Sequence, residues 1–219
     1  MLLFEKISNN IAAKIVETRK IDGFHKEVVA YGAYILLDTL LAISFVMIFG
    51  ALFGVFFQAL IFSFSSALLR KTSGGAHATT SLRCAIIGAV FAVVFSLIIE
   101  SLRPFINLPV VVIYLTVTFV ISYYIMMKLA PKDSPNKRIV KEHKIKELKF
   151  KSIRTLCIYL IICLVLLLFY YYNKNPNLLS YIALICTGYL WQSFTLTSLG
   201  HSMTYVIEYP FRYINNIRR

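Results

Sequence analysis

The sequence predicts an all-α polytopic membrane protein of about six transmembrane helices, led by an amphipathic helix in the membrane interface. Three observations carry this. Hydrophobic residues make up 58 % of the 219 residues and charged ones only 15 %, with a mean hydropathy of +0.72; a water-soluble domain carries about 25 % charged residues. The apolar residues come in long runs, as a bilayer requires. The basic residues fall in clusters that alternate with those runs. A chain of this length is one domain.

The apolar runs cover approximately residues 30–69, 84–99, 109–130, 155–172 and 178–199. The first is about twice as long as a helix needs to cross ~30 Å of hydrocarbon. Charge decides how to divide it. If it is a hairpin of two spans, one side of the membrane collects five basic residues from 1–29, three from 70–83, ten from 128–154 and three from 212–219, which is 21 of 23. Basic loops stay in the cytoplasm, so six spans with both termini cytoplasmic is the expected topology. Gly50 and Gly54 are where the hairpin is expected to turn. The expected divisions are an interfacial helix at 1–29, a transmembrane domain at 30–199 with a basic cytoplasmic loop at 131–154, and a cytoplasmic tail at 200–219. The net charge of +13 is explained by those inward loops, and no nucleic-acid binding is expected.

Phe4, Ile7, Ile11 and Ile15 recur at three- and four-residue steps among Glu5, Lys6, Asn9, Asn10 and Lys14. That spacing predicts the interfacial amphipathic helix, and no cleavable leader is expected where those polar residues stand. The basic stretch 141–149 is also expected to be helical. Trp191 and Tyr170 to Tyr172 suit the aromatic belt at an interface.

Of the four cysteines, Cys157, Cys163 and Cys186 sit inside apolar runs, where a thiol behaves as a small hydrophobe. No metal-ligand or disulfide spacing is present, so neither metal nor cofactor is expected. Cys84 differs. It follows Thr79-Thr80-Ser81 and opens an apolar run, at the end of the polar segment 70–84 that also holds Arg70, Gly74, Gly75 and His77. Cysteine chemistry needs a thiolate, hence a base or a positive field. On one straight helix, residues seven apart are separated by ~10.5 Å, whereas proton transfer needs roughly 3 Å. His77 and Cys84 can act together only if the chain bends between them. With Ser81 as N-cap, Cys84 falls in the first turn of the third span, where the helix end and Arg83 favour a thiolate. His77 would reach back over a flexible Gly74-Gly75 hinge.

Residue chemistry alone leaves open whether His77 and Cys84 are a reactive pair or an incidental one. No carboxylate lies between them, and Asp38, Gln58, Glu100, Asn107 and Asp133 are the candidates for a third group. His25, His143 and His201 read as interfacial or solvated. A different class of function, a small transporter or exporter without covalent chemistry, would use Asp38, Gln58 and Glu100 as a pathway through the membrane.

The stretch Arg70…Gly74-Gly75-Ala76-His77…Cys84 resembles the accessory gene regulator B (AgrB) family of Gram-positive bacteria. Ala130-Pro131-Lys132-Asp133-Ser134-Pro135-Asn136-Lys137 resembles that family's second signature, with Arg138 where many members carry proline. The resemblance implies a cysteine endopeptidase of the bacterial cell membrane that processes the precursor of a cyclic autoinducing peptide. It implies Cys84 as nucleophile and His77 as general base, then acid, with Arg70, Gly74, Gly75, Asp133 and Lys137 in support, beside Ser81 as the expected cap. It further implies an acyl-enzyme thioester resolved to a thiolactone or lactone. The implied partners are a pro-peptide with an amphipathic helix and an acidic C-terminal region, the phospholipid bilayer, and a second copy in a homodimer.

Overall fold

The protein is seen in a computed structural model that describes residues 2–19, 24–76, 79–132 and 142–217. These form eight α-helices and one 3₁₀ turn, Arg103–Phe105. The helices are α1 (Leu2–Arg19), α2 (Phe24–Leu52), α3 (Phe56–Ser73), α4 (Ser81–Ser101), α5 (Leu108–Leu129), α6 (Glu142–Asn173), α7 (Pro176–Phe194) and α8 (Ser198–Ile217). The fold is all-α, that of a polytopic membrane protein.

The long first apolar run is a hairpin of α2 and α3. It turns at Gly54, whose φ of +71° suits a residue without Cβ. The amide of Val55 closes the turn on the carbonyl of Gly50 at 2.8 Å.

Among the described residues, α2, α4, α5 and α6 are long and apolar enough to cross a bilayer. They present exposed Leu36, Val94, Ile113 and Ile161 outwards, an apolar surface that suits lipid and not water. The less apolar α3 and α7 pack against each other in the centre. Phe62 and Leu69 of α3 and Leu184 and Tyr189 of α7 are fully buried there. Hydroxyls join the helices where no water can. Tyr159 donates to the Ser65 carbonyl at 2.8 Å, Tyr114 meets Thr187 at 2.9 Å, and Tyr189 meets Thr118 at 2.7 Å.

The basic stretch is helical from residue 142, in line with the helix expected over 141–149. The difference lies in the boundary drawn at 154, because residues 142–154 are the start of α6, which runs unbroken for 32 residues, ~48 Å. Pairs four residues apart on that exposed stretch, Glu142 with Lys146 and Glu147 with Lys151, suit a helix that continues beyond the hydrocarbon. Residues 198–217 form α8, so that residues 200–217 of the expected 200–219 tail are helical. The N-terminal α1 is helical as its periodicity requires. It packs on α2 with Ser8 and Ala12 buried, and Ile7, Ile11 and Ile15 remain exposed as a stripe free to enter lipid.

Candidate active site

Residues 73–76 after α3, 130–132 after α5 and 195–197 after α7 meet at one end of the bundle. The chain leaving α3 is fastened there by backbone bonds. The Lys132 amide donates to the Ser73 carbonyl at 2.9 Å, and the Ala76 amide donates to the Thr195 carbonyl at 3.1 Å. The Arg70 guanidinium donates to the Ala76 carbonyl. Buried Gln192 donates to Ser73 Oγ at 3.0 Å and to the Gly74 carbonyl at 2.7 Å. The two signature segments of the sequence, more than fifty residues apart, therefore touch at Gly74 and Lys132.

The glycine pair is not the flexible hinge expected of it. Gly74 has φ +70°, and a Cβ there would lie 2.1 Å from the Lys132 carbonyl oxygen. Gly75 has φ +129°, and a Cβ there would lie 2.7 Å from Thr195 Oγ1. Both are required because neighbouring backbone and side chain occupy the space a side chain would need.

Helix α3 ends at Ser73 and α4 begins at Ser81, so positions 77 and 84 do not share a helix. The N-cap of α4 is Thr80, one residue before the expected Ser81. Thr80 is extended (φ −132°, ψ 147°), and its side chain accepts from the Arg83 amide. Its carbonyl accepts from the Cys84 amide at 3.0 Å. Cys84 is accordingly the fourth helical residue, still in the first turn but with its own amide already bonded. Ser81 instead shares a hydrogen bond with Tyr34 of α2 at 2.9 Å.

The partly exposed Cys84 lines a cavity of about 60 Å³ together with Arg70, Ala76, Phe91, Trp191 and Met203. Its walls come from the α3 end, the first turns of α4, the α7 end and α8. Trp191 packs on Phe91 with ring centroids 4.3 Å apart, which makes the inner wall aromatic. A larger apolar groove of about 470 Å³, lined by Phe57, Phe64, Tyr159 and Ile162, lies between α3, α6 and α7 and does not include Cys84.

Arg70, Gly74, Gly75, Ser81 and Cys84 are thus at one end of the molecule. His77, Asp133 and Lys137 lie outside the described residues. The residues flanking His77 on the described chain, Ala76 and Thr79, are both hydrogen-bonded. Of the candidates for a third group, Gln58, Glu100 and Asn107 are at the opposite end. There Gln58 donates to Glu100 at 3.4 Å and Asn107 caps α5 through the Val110 amide at 3.1 Å. Asp38 is half-buried on α2.

A carboxylate does stand beside the site. It is Glu208 of α8, only 2 % exposed, which accepts from the amide and the hydroxyl of Thr79. The sequence reading missed it because it treated 200–219 as a tail. The available signal was a single acidic residue within an otherwise neutral or basic amphipathic stretch, 198–217. His201, read as interfacial, is partly buried on α8; burial first, and the charge of Lys132 second, hold its imidazole below the usual histidine pKa. His143 is exposed on α6, as expected.

Comparison with known proteins decides the family. Residues 8–196 match the family described as accessory gene regulator B, AgrB. The chain belongs to the AgrB family. It is similar to an AgrB-like protein 2 of Clostridium perfringens (strain 13 / Type A), 38 % identical over 208 residues, which is 94 % of this chain and 97 % of that protein. It is also similar to an AgrB-like protein of Clostridium perfringens (strain SM101 / Type A), 36 % identical over the same shares of the two chains. No solved structure matches. Membership assigns this multi-pass membrane protein to the accessory gene regulator system.

Proposed function

We propose that the chain is a cysteine endopeptidase of the bacterial cell membrane that cleaves the C-terminal part of a quorum-sensing pro-peptide at the cytoplasmic face and promotes its cyclisation. The observation that carries this reading is Cys84 in the first turn of α4, on the wall of a small, mostly apolar cavity beside Ala76 and Arg70. The family supports the class of substrate.

In this reading His77 takes the Cys84 proton and the thiolate attacks the scissile carbonyl. The C–N bond breaks, and His77 returns the proton to the leaving amine. The acyl group is then a thioester on Cys84. A Cys or Ser side chain of the same peptide gives up its proton and attacks the thioester carbonyl. A new C–S or C–O bond closes the ring as the bond between the acyl carbon and Cys84 Sγ breaks, and the proton passes to the Cys84 thiolate. Passing the acyl group from Cys84 to a second thiol is close to isoenergetic, and to a hydroxyl downhill, so the ring-closing step itself needs no ATP, provided water stays out. The aromatic wall of Phe91, Trp191 and Phe194 helps exclude it.

Orientation with both termini in the cytoplasm follows from the basic clusters. It makes the inner leaflet the place where an amphipathic precursor helix would lie, with its acidic portion drawn to the 21 inward basic residues. A homodimer belongs to the same proposal. Among the described polar residues, Gln58 and Glu100 bond to one another at one end of the bundle, a poor arrangement for a transport path.

The test is cleavage of the pro-peptide by the purified chain in phospholipid vesicles. Cys84→Ser should lower the rate by at least about 10³-fold while inserting normally, as loss of a nucleophile does. Cleavage by Cys84→Ser at the unsubstituted rate would refute the proposal.

A further inference from the structure

Helix α8 lies beyond the stretch matched by the family as a whole, which ends at residue 196. Yet α8 reaches the Cys84 site twice. Gly200, Met203, Thr204 and Ile207 form one wall of the cavity. One residue on, Glu208 is buried, and one carboxylate oxygen accepts both the Thr79 amide and the Thr79 hydroxyl, the latter at 3.0 Å. The same hydroxyl accepts from Arg83 at 3.0 Å, one residue before Cys84. A carboxylate withdrawn from water to this degree is costly to keep unless it is well supplied with donors. Its place in the fold therefore invites a reason.

We propose that Glu208 is a positioning residue of this site, which clamps Thr79 and, through Arg83, the first turn of α4 that carries Cys84. The proposal rests on the peptidase reading above. Ala76, on the cavity wall, is held through the Thr195 carbonyl and the Arg70 guanidinium. Thr79, just before α4, is held by a residue 129 positions later in the sequence. Such anchoring matters because a reacting group misplaced by about 1 Å can cost about 10²-fold in rate. Glu208 acts through Thr79 and need not touch the substrate.

The experiment uses the full chain in phospholipid vesicles with its pro-peptide, comparing Glu208→Ala, Glu208→Gln and Thr79→Val, with Cys84→Ser as control. Glu208→Ala should lower kcat about 10–100-fold, the range for partners that orient a reacting group, while KM changes by less than about threefold. Glu208→Gln keeps an acceptor oxygen toward Thr79 and should recover about tenfold of that loss. Thr79→Val keeps the amide bond but loses the hydroxyl, and should lower kcat by a smaller factor at constant KM. Should Glu208→Ala fail to insert, Glu208→Gln and Thr79→Val carry the test. An unchanged kcat in Thr79→Val and Glu208→Ala would overturn the proposal, as would a loss confined to the amount of folded protein. The control separates the two ideas. An active Cys84→Ser removes the peptidase reading itself, whereas an inactive Cys84→Ser beside a fully active Glu208→Ala removes only the role of Glu208.

Discussion

The two ends of the helix bundle are built by different means. At the far end the chain turns tightly, with Asn107 and Asn175 capping the next helices. A short polar chain links Gln58, Glu100, Arg103 and Asn177. Its ion pair, Glu100 with Arg103, is 34 % and 42 % exposed. At the Cys84 end, three segments distant in sequence are joined mainly through backbone groups, across two glycines that admit no side chain, with buried Gln192 and Glu208 as acceptors or donors. Side-chain pairs at a wet surface close a turn and tolerate change. Backbone bonds among buried loops fix positions, which is what a reacting pair of side chains needs.

Substitutions should make the difference measurable, and the largest effect is expected at Gly75. In Gly75→Ala the new Cβ meets Thr195 Oγ1, and that hydroxyl cannot move without losing its bond to the Gln192 carbonyl at 2.7 Å. With the unfavourable φ added, the cost should be about 1–3 kcal/mol of stability. Thermal unfolding in detergent and pro-peptide cleavage should both suffer. A variant of unchanged stability would mean that this end is looser than described.

A second effect follows from His201. Its folded-state pKa lies below the unfolded one, so the unfolded chain binds the proton first as pH falls. The stability associated with the neutral imidazole is present above ~6.5 and is lost as pH drops through that value toward the folded pKa. The unfolding temperature should therefore fall on acidification, and His201→Gln should flatten that dependence. An identical pH profile in the variant would contradict the assignment.

The smallest effect belongs to the far end. Arg103→Ala removes an exposed pair and should cost about 0–1 kcal/mol, with cleavage unaltered. Loss of cleavage in this variant would show that the ends are not independent.

The same contrast explains what could be read in the sequence. The hairpin of α2 and α3 and the start of α4 were legible because local signals write them: a glycine at the turn, and a Thr-Thr-Ser cluster before an apolar run. The cap was displaced by one residue because Thr80 and Ser81 are both competent, and Tyr34 on another helix takes the serine hydroxyl. Gly74 and Gly75 were visible as unusual, but their reason was not, since Lys132, Gln192 and Thr195 come from elsewhere in the chain. Glu208 was missed on the same ground. A buried carboxylate in a distant helix has no local mark beyond being the one acidic residue of its stretch. The central place of α3 and α7 also depends on which helices surround them, although their lower apolarity hinted at it.

The most direct measurement is mass spectrometry of the purified chain after mixing with its pro-peptide and rapid acid quench. An adduct on Cys84 with the mass of the N-terminal cleavage fragment is expected, labile to hydroxylamine as a thioester is, and absent from Cys84→Ser. Cleavage that proceeds in the intact protein with the adduct on Cys157, Cys163 or Cys186, or that persists in Cys84→Ser, would contradict it.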